Sequence, residues 1–179
     1  MNANVSGFSV DRATGKLVQL AGSPFRTGTN PRAIGIVPDG RYAYVANAAS
    51  ADVSQFRIAH GKLLPLAPAT VATGPNPRAL VVDPSGKFAY VASYDSGQIW
   101  AYPITPRSGA LTPLPGTPVM AGQGPRSMAI AAAGKFLCVA NYASGDISVF
   151  RMDPDTGELT EVPGSPFASA KHLNGMAAF

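Results

Sequence analysis

The sequence predicts an all-β protein, a β-propeller of four-stranded antiparallel blades, and three observations support this prediction. Similar stretches recur at offsets of 46 and 48 residues: NPRAIGIVPDGRYAYVAN from Asn30, NPRALVVDPSGKFAYVAS from Asn76 and GPRSMAIAAAGKFLCVAN from Gly124. Each repeat holds four short strand-like runs separated by turn residues, which is the pattern of a propeller blade. Only 13% of the residues are charged, whereas 19 are Gly and 17 are Pro, so few segments are suited to helices.

The four runs of the first repeat cover residues 32–37, 42–47, 53–58 and 63–68. The second run is apolar on both faces, also in the third repeat at 136–139, as expected for a strand covered by blades on either side. Pro65 and Pro113 fall in the fourth run, which predicts an edge strand. A solenoid β-helix is disfavoured, because its units are usually shorter and its strands parallel.

The repeat alignment predicts one partial propeller domain over residues 1–179. Residues 1–29 would supply the outer strands of a broken blade, because VSGFSV from Val5 aligns with the third run of a repeat. Complete blades would occupy residues 30–75, 76–123 and 124–171. Residues 172–179 would form the inner strand of a further blade, since Met176 follows Met128 by one repeat length.

Composition excludes several classes of function. The net charge of +4 comes from basic residues spread along the chain without a basic run, so no nucleic-acid partner is expected. No apolar stretch is long enough to span a membrane, and no membrane partner is expected. Nucleotide-binding, zinc and nucleophile-elbow motifs are missing, so the sequence predicts neither a cofactor nor a metal. The N-terminus lacks a signal-peptide pattern, which predicts a cytoplasmic protein if the chain is complete, with the compartment otherwise unknown.

The repeat places a recurrent set of polar residues on one face of the predicted disc. In a blade, the inner strand starts where the second strand ends, so both contribute to the same face. Arg32, Arg78 and Arg126 begin the inner strands and would bind an anion there. The other candidates, near the ends of the second strands or in the entry segment of the last blade, are Tyr94, Asp95, Asn141, Tyr142 and His172. Structural roles remain open, because Arg can bond neighbouring carbonyls and Asn commonly organises loops.

The segments PSGKFAYVAS, AGKFLCVANYASGDISVF and DTGELTEVPGSPF resemble the lactonase-type, YVTN-repeat β-propellers, which include 6-phosphogluconolactonases. This resemblance covers nearly the whole chain and implies a seven-bladed ring, of which the chain would be about half. Three arrangements follow: a fragment of a longer protein, a half-propeller that closes by self-association with a second copy, or a strained four-bladed ring.

The resemblance also implies a function, hydrolysis of a sugar lactone such as 6-phosphogluconolactone by metal-independent attack of water. Arg78 and Arg126 would hold the anionic group, with Asp95 or His172 as catalytic residues for proton transfer. Arg32, Asn141, Tyr94 and Tyr142 would complete substrate binding. Many family members carry His after the Pro-Arg pair, whereas this chain has Ala33, Ala79 and Ser127. This difference supports the alternative, a non-catalytic propeller that binds a ligand or a protein.

Overall fold

The computed structural model describes residues 3–177 as a series of antiparallel sheets. A 3-10 turn spans Ala132–Gly134. The strands are Asn4–Val5 (β1), Phe8–Val10 (β2), Leu17–Gln19 (β3), Phe25–Arg26 (β4), Pro31–Ile36 (β5), Tyr42–Asn47 (β6), Asp52–Ala59 (β7), Lys62–Ala72 (β8), Pro77–Val82 (β9), Phe88–Ser93 (β10), Gln98–Pro103 (β11), Val119–Met120 (β12), Pro125–Ala131 (β13), Phe136–Asn141 (β14), Asp146–Met152 (β15), Leu159–Glu161 (β16) and Phe167–Ala168 (β17).

Three sheets follow the sequence repeats. Blade 1 has the strand order β5-β6-β7-β8 and blade 2 has the order β9-β10-β11-β12. Blade 3 has the order β13-β14-β15-β16, and β17 pairs with β15 as well. The first strands of consecutive blades, β5, β9 and β13, lie next to one another. Before blade 1, two small sheets pair β1 with β4 and β2 with β3.

Apolar side chains fill the spaces between facing blades. Tyr44, Val53, Leu80, Val91 and Tyr102 pack between blades 1 and 2, and Tyr90, Ile99, Met128, Leu137 and Phe150 pack between blades 2 and 3. Full burial of a Leu or Val side chain stabilises a fold by about 1.5–3 kcal/mol. Strands β6 and β10 are buried at every position, as the sequence predicts for second strands. In β14, however, Phe136 and Cys138 are only half-buried, because no further blade within residues 3–177 covers the far face of blade 3.

Side-chain hydrogen bonds also join neighbouring blades. The Tyr42 and Tyr44 hydroxyls of blade 1 donate to the Arg107 and Gly109 carbonyls of blade 2, both at 2.7 Å. The Tyr90 hydroxyl of blade 2 repeats this contact with a carbonyl of blade 3. Burial raises the pKa of the Tyr44 and Tyr90 phenols, so both remain protonated donors at neutral pH.

The two ends of the blade series differ from its middle. Ile34 and Ile36 are 50% and 54% exposed, although neighbouring Gly35 packs against blade 2. Residues 172–177 form no strand, in contrast to the inner strand predicted over 172–179, because the described part of the chain places no second strand beside them to complete a ladder. The tail is instead held by the Met176 amide, which donates to Ser127 Oγ at 3.0 Å. Residues 178 and 179 lie outside the described residues.

Candidate functional site

Each predicted anion-binding arginine is the extra residue of a β-bulge. In blade 2, Pro77 lies opposite Ser93 and Ala79 lies opposite Ala92, so Arg78 has no pairing partner in β10. The same irregularity isolates Arg32 in blade 1 and Arg126 in blade 3. A bulge bends its strand and changes the direction of the extra side chain. The three arginines therefore occupy equivalent special positions at the ends of neighbouring inner strands.

Two of these arginines stack on tyrosines that follow the second strand of the same blade. The Arg78 guanidinium carbon lies 5.2 Å from the centre of the Tyr94 ring, and that of Arg126 lies 4.7 Å from the centre of the Tyr142 ring. These distances are in the range of cation–π interactions. The two tyrosine rings lie 6.4 Å apart, which joins the two pairs across the boundary between the blades.

Blade 1 lacks this stack, because Ala48 occupies the position of the tyrosines. Arg32 is exposed, and together with Asn4 and Pro31 it lines a separate cavity of about 230 Å³ beside β1. The aromatic contacts therefore unite Arg78 and Arg126 and leave out Arg32, and the convergence of all three arginines stays a prediction.

Asn76 links two of the predicted residues and was not predicted as part of the site. Arg78 Nε donates to Asn76 Oδ1 at 3.0 Å, and Asn76 Nδ2 donates to Asp95 Oδ1 at 2.8 Å. The Asn76 side-chain amide thus fixes the orientation of both the Arg78 guanidinium and the Asp95 carboxylate. The signal was present in the sequence, since Asn76 precedes the Pro-Arg pair, and its positive φ of 51° is a conformation that Asn tolerates.

His172 lies next to the second stack. Its ring centre is 4.7 Å from that of Tyr142, and its backbone amide donates to the Tyr142 carbonyl at 3.2 Å. The imidazole is exposed, as is the Asp95 carboxylate. We call the whole group the mouth cluster: Arg78, Tyr94, Asp95, Arg126, Tyr142 and His172. It brings together two cations, two aromatic faces and two groups that can accept a proton.

Asn141 does not belong to this cluster. Its side chain is fully buried, and Nδ2 donates to Asp146 Oδ1 at 2.7 Å and to Ser148 Oγ at 2.8 Å. Asn47 makes the same pair of bonds in blade 1. The prediction that Asn141 binds substrate is therefore corrected, because its amide supports the loop between β14 and β15 and is inaccessible to a ligand.

Neither a metal site nor a membrane span is visible in residues 3–177. No three His, Cys, Asp or Glu side chains in this range gather in a way that could hold a metal ion. No helix in the described part of the chain is both long enough and apolar enough to cross a membrane.

Consecutive antiparallel sheets with neighbouring first strands, faces packed together and a polar cluster at one end define part of a β-propeller. Residues 2–171 match the family described as lactonase, 7-bladed beta-propeller, and the chain belongs to this family. The predictions of a lactonase-type family and of a propeller fold are thereby confirmed. A comparison with curated proteins gives no match.

Solved structures show the same architecture over about twice the length. A putative 6-phosphogluconolactonase from Bacteroides fragilis is 23% identical with a TM-score of 0.84, and the alignment covers 97% of this chain and 51% of that one. A periplasmic gluconolactonase from Pseudomonas aeruginosa is 26% identical with a TM-score of 0.80, and the alignment covers 94% and 50% of the two chains. The chain thus spans about half the length of these structures, in agreement with the prediction of about half a ring.

Proposed function

We propose that the mouth cluster binds and hydrolyses a sugar lactone that carries an anionic group, such as 6-phosphogluconolactone. The observation that carries this proposal is the pair of arginines on adjacent inner strands, each stacked on a tyrosine. Stacking restrains a guanidinium and leaves its edge free for the bidentate bonds that phosphate and carboxylate accept. Membership of the lactonase family supports the choice of reaction, and the names of similar structures support the choice of a sugar lactone.

The reaction requires water to add to the lactone carbonyl carbon, after which the bond from that carbon to the ring oxygen breaks. Asp95 or His172 would take the proton of the attacking water, and the ring oxygen would receive a proton as it leaves as a hydroxyl. Both groups are exposed at the cluster, and an imidazole is the usual base near neutral pH. Arg78 and Arg126 would hold the anion, and the tyrosine rings would pack on the sugar.

The first experiment measures lactone opening by Arg78→Gln and Arg126→Gln. Loss of a hydrogen bond to a charged group costs about 1.5–3 kcal/mol, so KM for 6-phosphogluconolactone should rise about 10- to 100-fold. KM for uncharged δ-gluconolactone should change much less. Arg151→Gln is the matched control, because Arg151 also stacks on an aromatic ring, that of Phe136, but lies outside the mouth cluster.

A wild-type protein that opens neither lactone faster than spontaneous hydrolysis would sink this proposal. It would also fail if all three arginine variants had the same kinetics. Asp95→Asn and His172→Gln then identify the base, since its loss should lower kcat by about 10²- to 10⁴-fold.

The alternative function is that of a non-catalytic scaffold for a ligand or a protein. It is favoured by Ala33, Ala79 and Ser127, which stand where many family members have His after the Pro-Arg pair. In this case Arg78→Ala combined with Arg126→Ala should change binding, while lactone opening stays at the background rate. If the double variant unfolds, the arginines are structural and both functions lose their support.

Self-association to complete a ring is a further proposal. Ile34 and Ile36 support it, because they are exposed on the face of β5 that points away from blade 2. The inner strands of a neighbouring blade, supplied by a second copy, would cover them. Light scattering of the purified chain tests it: a dimer whose formation is blocked by Ile34→Lys agrees with it, and a monomer at all concentrations contradicts it.

A further inference from the structure

The residue that enters each inner strand, two positions before its arginine, has the same backbone role in blades 1 to 3. These entry residues, all with positive φ, are Asn30, Asn76 and Gly124, at 60°, 51° and 64°. The carbonyl of each accepts a hydrogen bond from the backbone amide that follows the second strand of the same blade, at 2.8 to 3.1 Å. Since glycine fills this role in blade 3, the blade needs no side chain at this position. The side chain of Asn76 is therefore available for a task other than folding.

In blade 2 this side chain joins a cation to a carboxylate. Arg78 Nε donates to Asn76 Oδ1 at 3.0 Å, and Asn76 Nδ2 donates to Asp95 Oδ1 at 2.8 Å. At the position of Asp95, blade 1 has Ala49 and blade 3 has Ala143. Asp95 is exposed and covers no part of the two cores between the blades. A residue required by the fold would be expected in every blade, so the restriction of this carboxylate to blade 2 indicates a role at the mouth cluster.

Two independent requirements select asparagine at position 76. A guanidinium can only donate hydrogen bonds and an ionised carboxylate can only accept them, so a group between them must accept on one side and donate on the other. The positive φ favours glycine, asparagine or aspartate. Glycine has no side chain, and aspartate would turn a second acceptor towards Asp95. Of these three residues only asparagine meets both requirements, and the same reasoning fixes its amide with Oδ1 towards Arg78.

Arg78 is restrained at two places. The Tyr94 ring lies against its guanidinium, and Asn76 accepts from its Nε. Its two Nη groups are left to bind an anion end-on through two parallel hydrogen bonds. Asp95 reaches Arg78 through the amide of Asn76, so the positive charge is held in place without being used up in a direct ion pair.

Arg126 has only part of this support. It stacks on Tyr142, but its entry residue, Gly124, has no side chain that could accept from its Nε. A side chain that is already held in its binding geometry loses less conformational entropy on binding than one that is free to turn. Arg78 is therefore the better preformed of the two anion-binding groups.

We propose that Asn76 and Asp95 are positioning residues, which hold Arg78 as the preformed anchor for the anionic group of the substrate. Arg126 adjusts to the same anion after it has bound. Because Asp95 is engaged in the restraint of Arg78, His172 is left as the base. The proposal rests on the lactone function proposed above and assigns a distinct role to each of these residues.

Asn76→Gly tests this proposal in the full chain, because it gives blade 2 the entry residue of blade 3 and keeps the positive φ. Loss of the restraint should raise KM for 6-phosphogluconolactone, and Kd for its open-chain product 6-phosphogluconate, about 3- to 10-fold. The kcat should change less than about threefold, since Arg78 holds substrate and transition state alike. Asn30→Gly is the matched control: it makes the same substitution at φ of 60° in blade 1, where Ala49 offers no carboxylate, and should behave like the wild type.

Asp95→Ala distinguishes restraint of the arginine from proton transfer. In the proposed role it should raise KM and Kd as Asn76→Gly does and nearly retain kcat, whereas loss of the base would lower kcat at least about 100-fold. The double variant should be no weaker than either single variant, because both substitutions break the same chain of bonds. NMR relaxation of the Arg78 Nε–H group should show increased mobility in both single variants and none in Asn30→Gly.

The proposal is overturned if Asn76→Gly has the same KM and Kd as Asn30→Gly, if the mobility of Arg78 Nε–H is unchanged, or if Asp95→Ala lowers kcat about 100-fold. Any of these results with an active wild type would leave the lactone function standing. A wild type that binds 6-phosphogluconate but opens no lactone would refute hydrolysis alone. The Kd values would then decide the role of Asn76: weaker binding by Asn76→Gly than by Asn30→Gly supports it, and equal binding overturns it. A wild type that binds no 6-phosphogluconate overturns both proposals.

Discussion

Gly109 offers a sharp test of how tightly neighbouring blades pack. It lies in the outer hairpin of blade 2 with φ of +71°, against the Tyr42 ring of blade 1. In Gly109→Ala, the new methyl carbon would lie 2.6 Å from Tyr42 Cγ and closer still to two other ring atoms. Since that ring is buried, it cannot rotate into solvent. The substitution should therefore push the two blades apart.

The expected loss in the free energy of unfolding of Gly109→Ala has two parts. An alanine in the left-handed region costs about 1–2 kcal/mol, and overpacking costs about 1–3 kcal/mol more. Gly61 occupies the same hairpin position in blade 1 with φ of +68°, but its Cβ would meet only Leu20 Cδ2 at 3.6 Å, an ordinary contact. Gly61→Ala should therefore lose only the first part, and the two variants should differ by about 1–3 kcal/mol.

Urea unfolding followed by the fluorescence of Trp100, the single tryptophan, measures both values. Gly109→Ala should have the lower midpoint with an unchanged slope. If the two variants unfold at the same midpoint, the blades are not rigidly spaced at this contact and the reasoning is wrong.

Three further predictions concern stability. Tyr44→Phe should lower the free energy of unfolding by about 1–3 kcal/mol, because the Gly109 carbonyl would remain buried without a donor. Asn141→Ala should destabilise the protein by a similar amount in urea unfolding while KM for a lactone stays constant. The backbone amide of Thr156 chiefly lowers the pKa of Asp153, so this carboxylate adds stability above about pH 4 that is lost as pH falls through its folded pKa. Asp153→Ala should accordingly shift the urea midpoint at pH 7 and have little effect in strong acid.

The repeats predict the blades well because each sequence repeat corresponds to one four-stranded blade. An apolar second strand such as β10 has to be covered on both faces, and the turn residues limit each strand to a few residues. Burial of β14 was less predictable, because it depends on whether another blade follows blade 3. That neighbour is not a property of the strand's own sequence.

The candidate site was predictable in position but not in detail. The arginines could be placed at the ends of the inner strands, yet their bulges shift the register by one residue without a visible signal in the repeat. Asn141 was placed at the site because it ends a second strand on that face, whereas its bonds to Asp146 and Ser148 hold it buried in the alternative role of a loop organiser. Pairwise contacts of this kind are decided by side-chain geometry, which repeat spacing does not contain.

The bulge at each arginine has a consequence for redesign. Because the extra residue has no partner on the neighbouring strand, its side chain can be exchanged while the register of both strands is retained. Each blade thus has one position at which the side chain can be changed without a change in strand pairing. Substitution of the three arginines by side chains of different charge and size should give a set of different binding surfaces on one backbone.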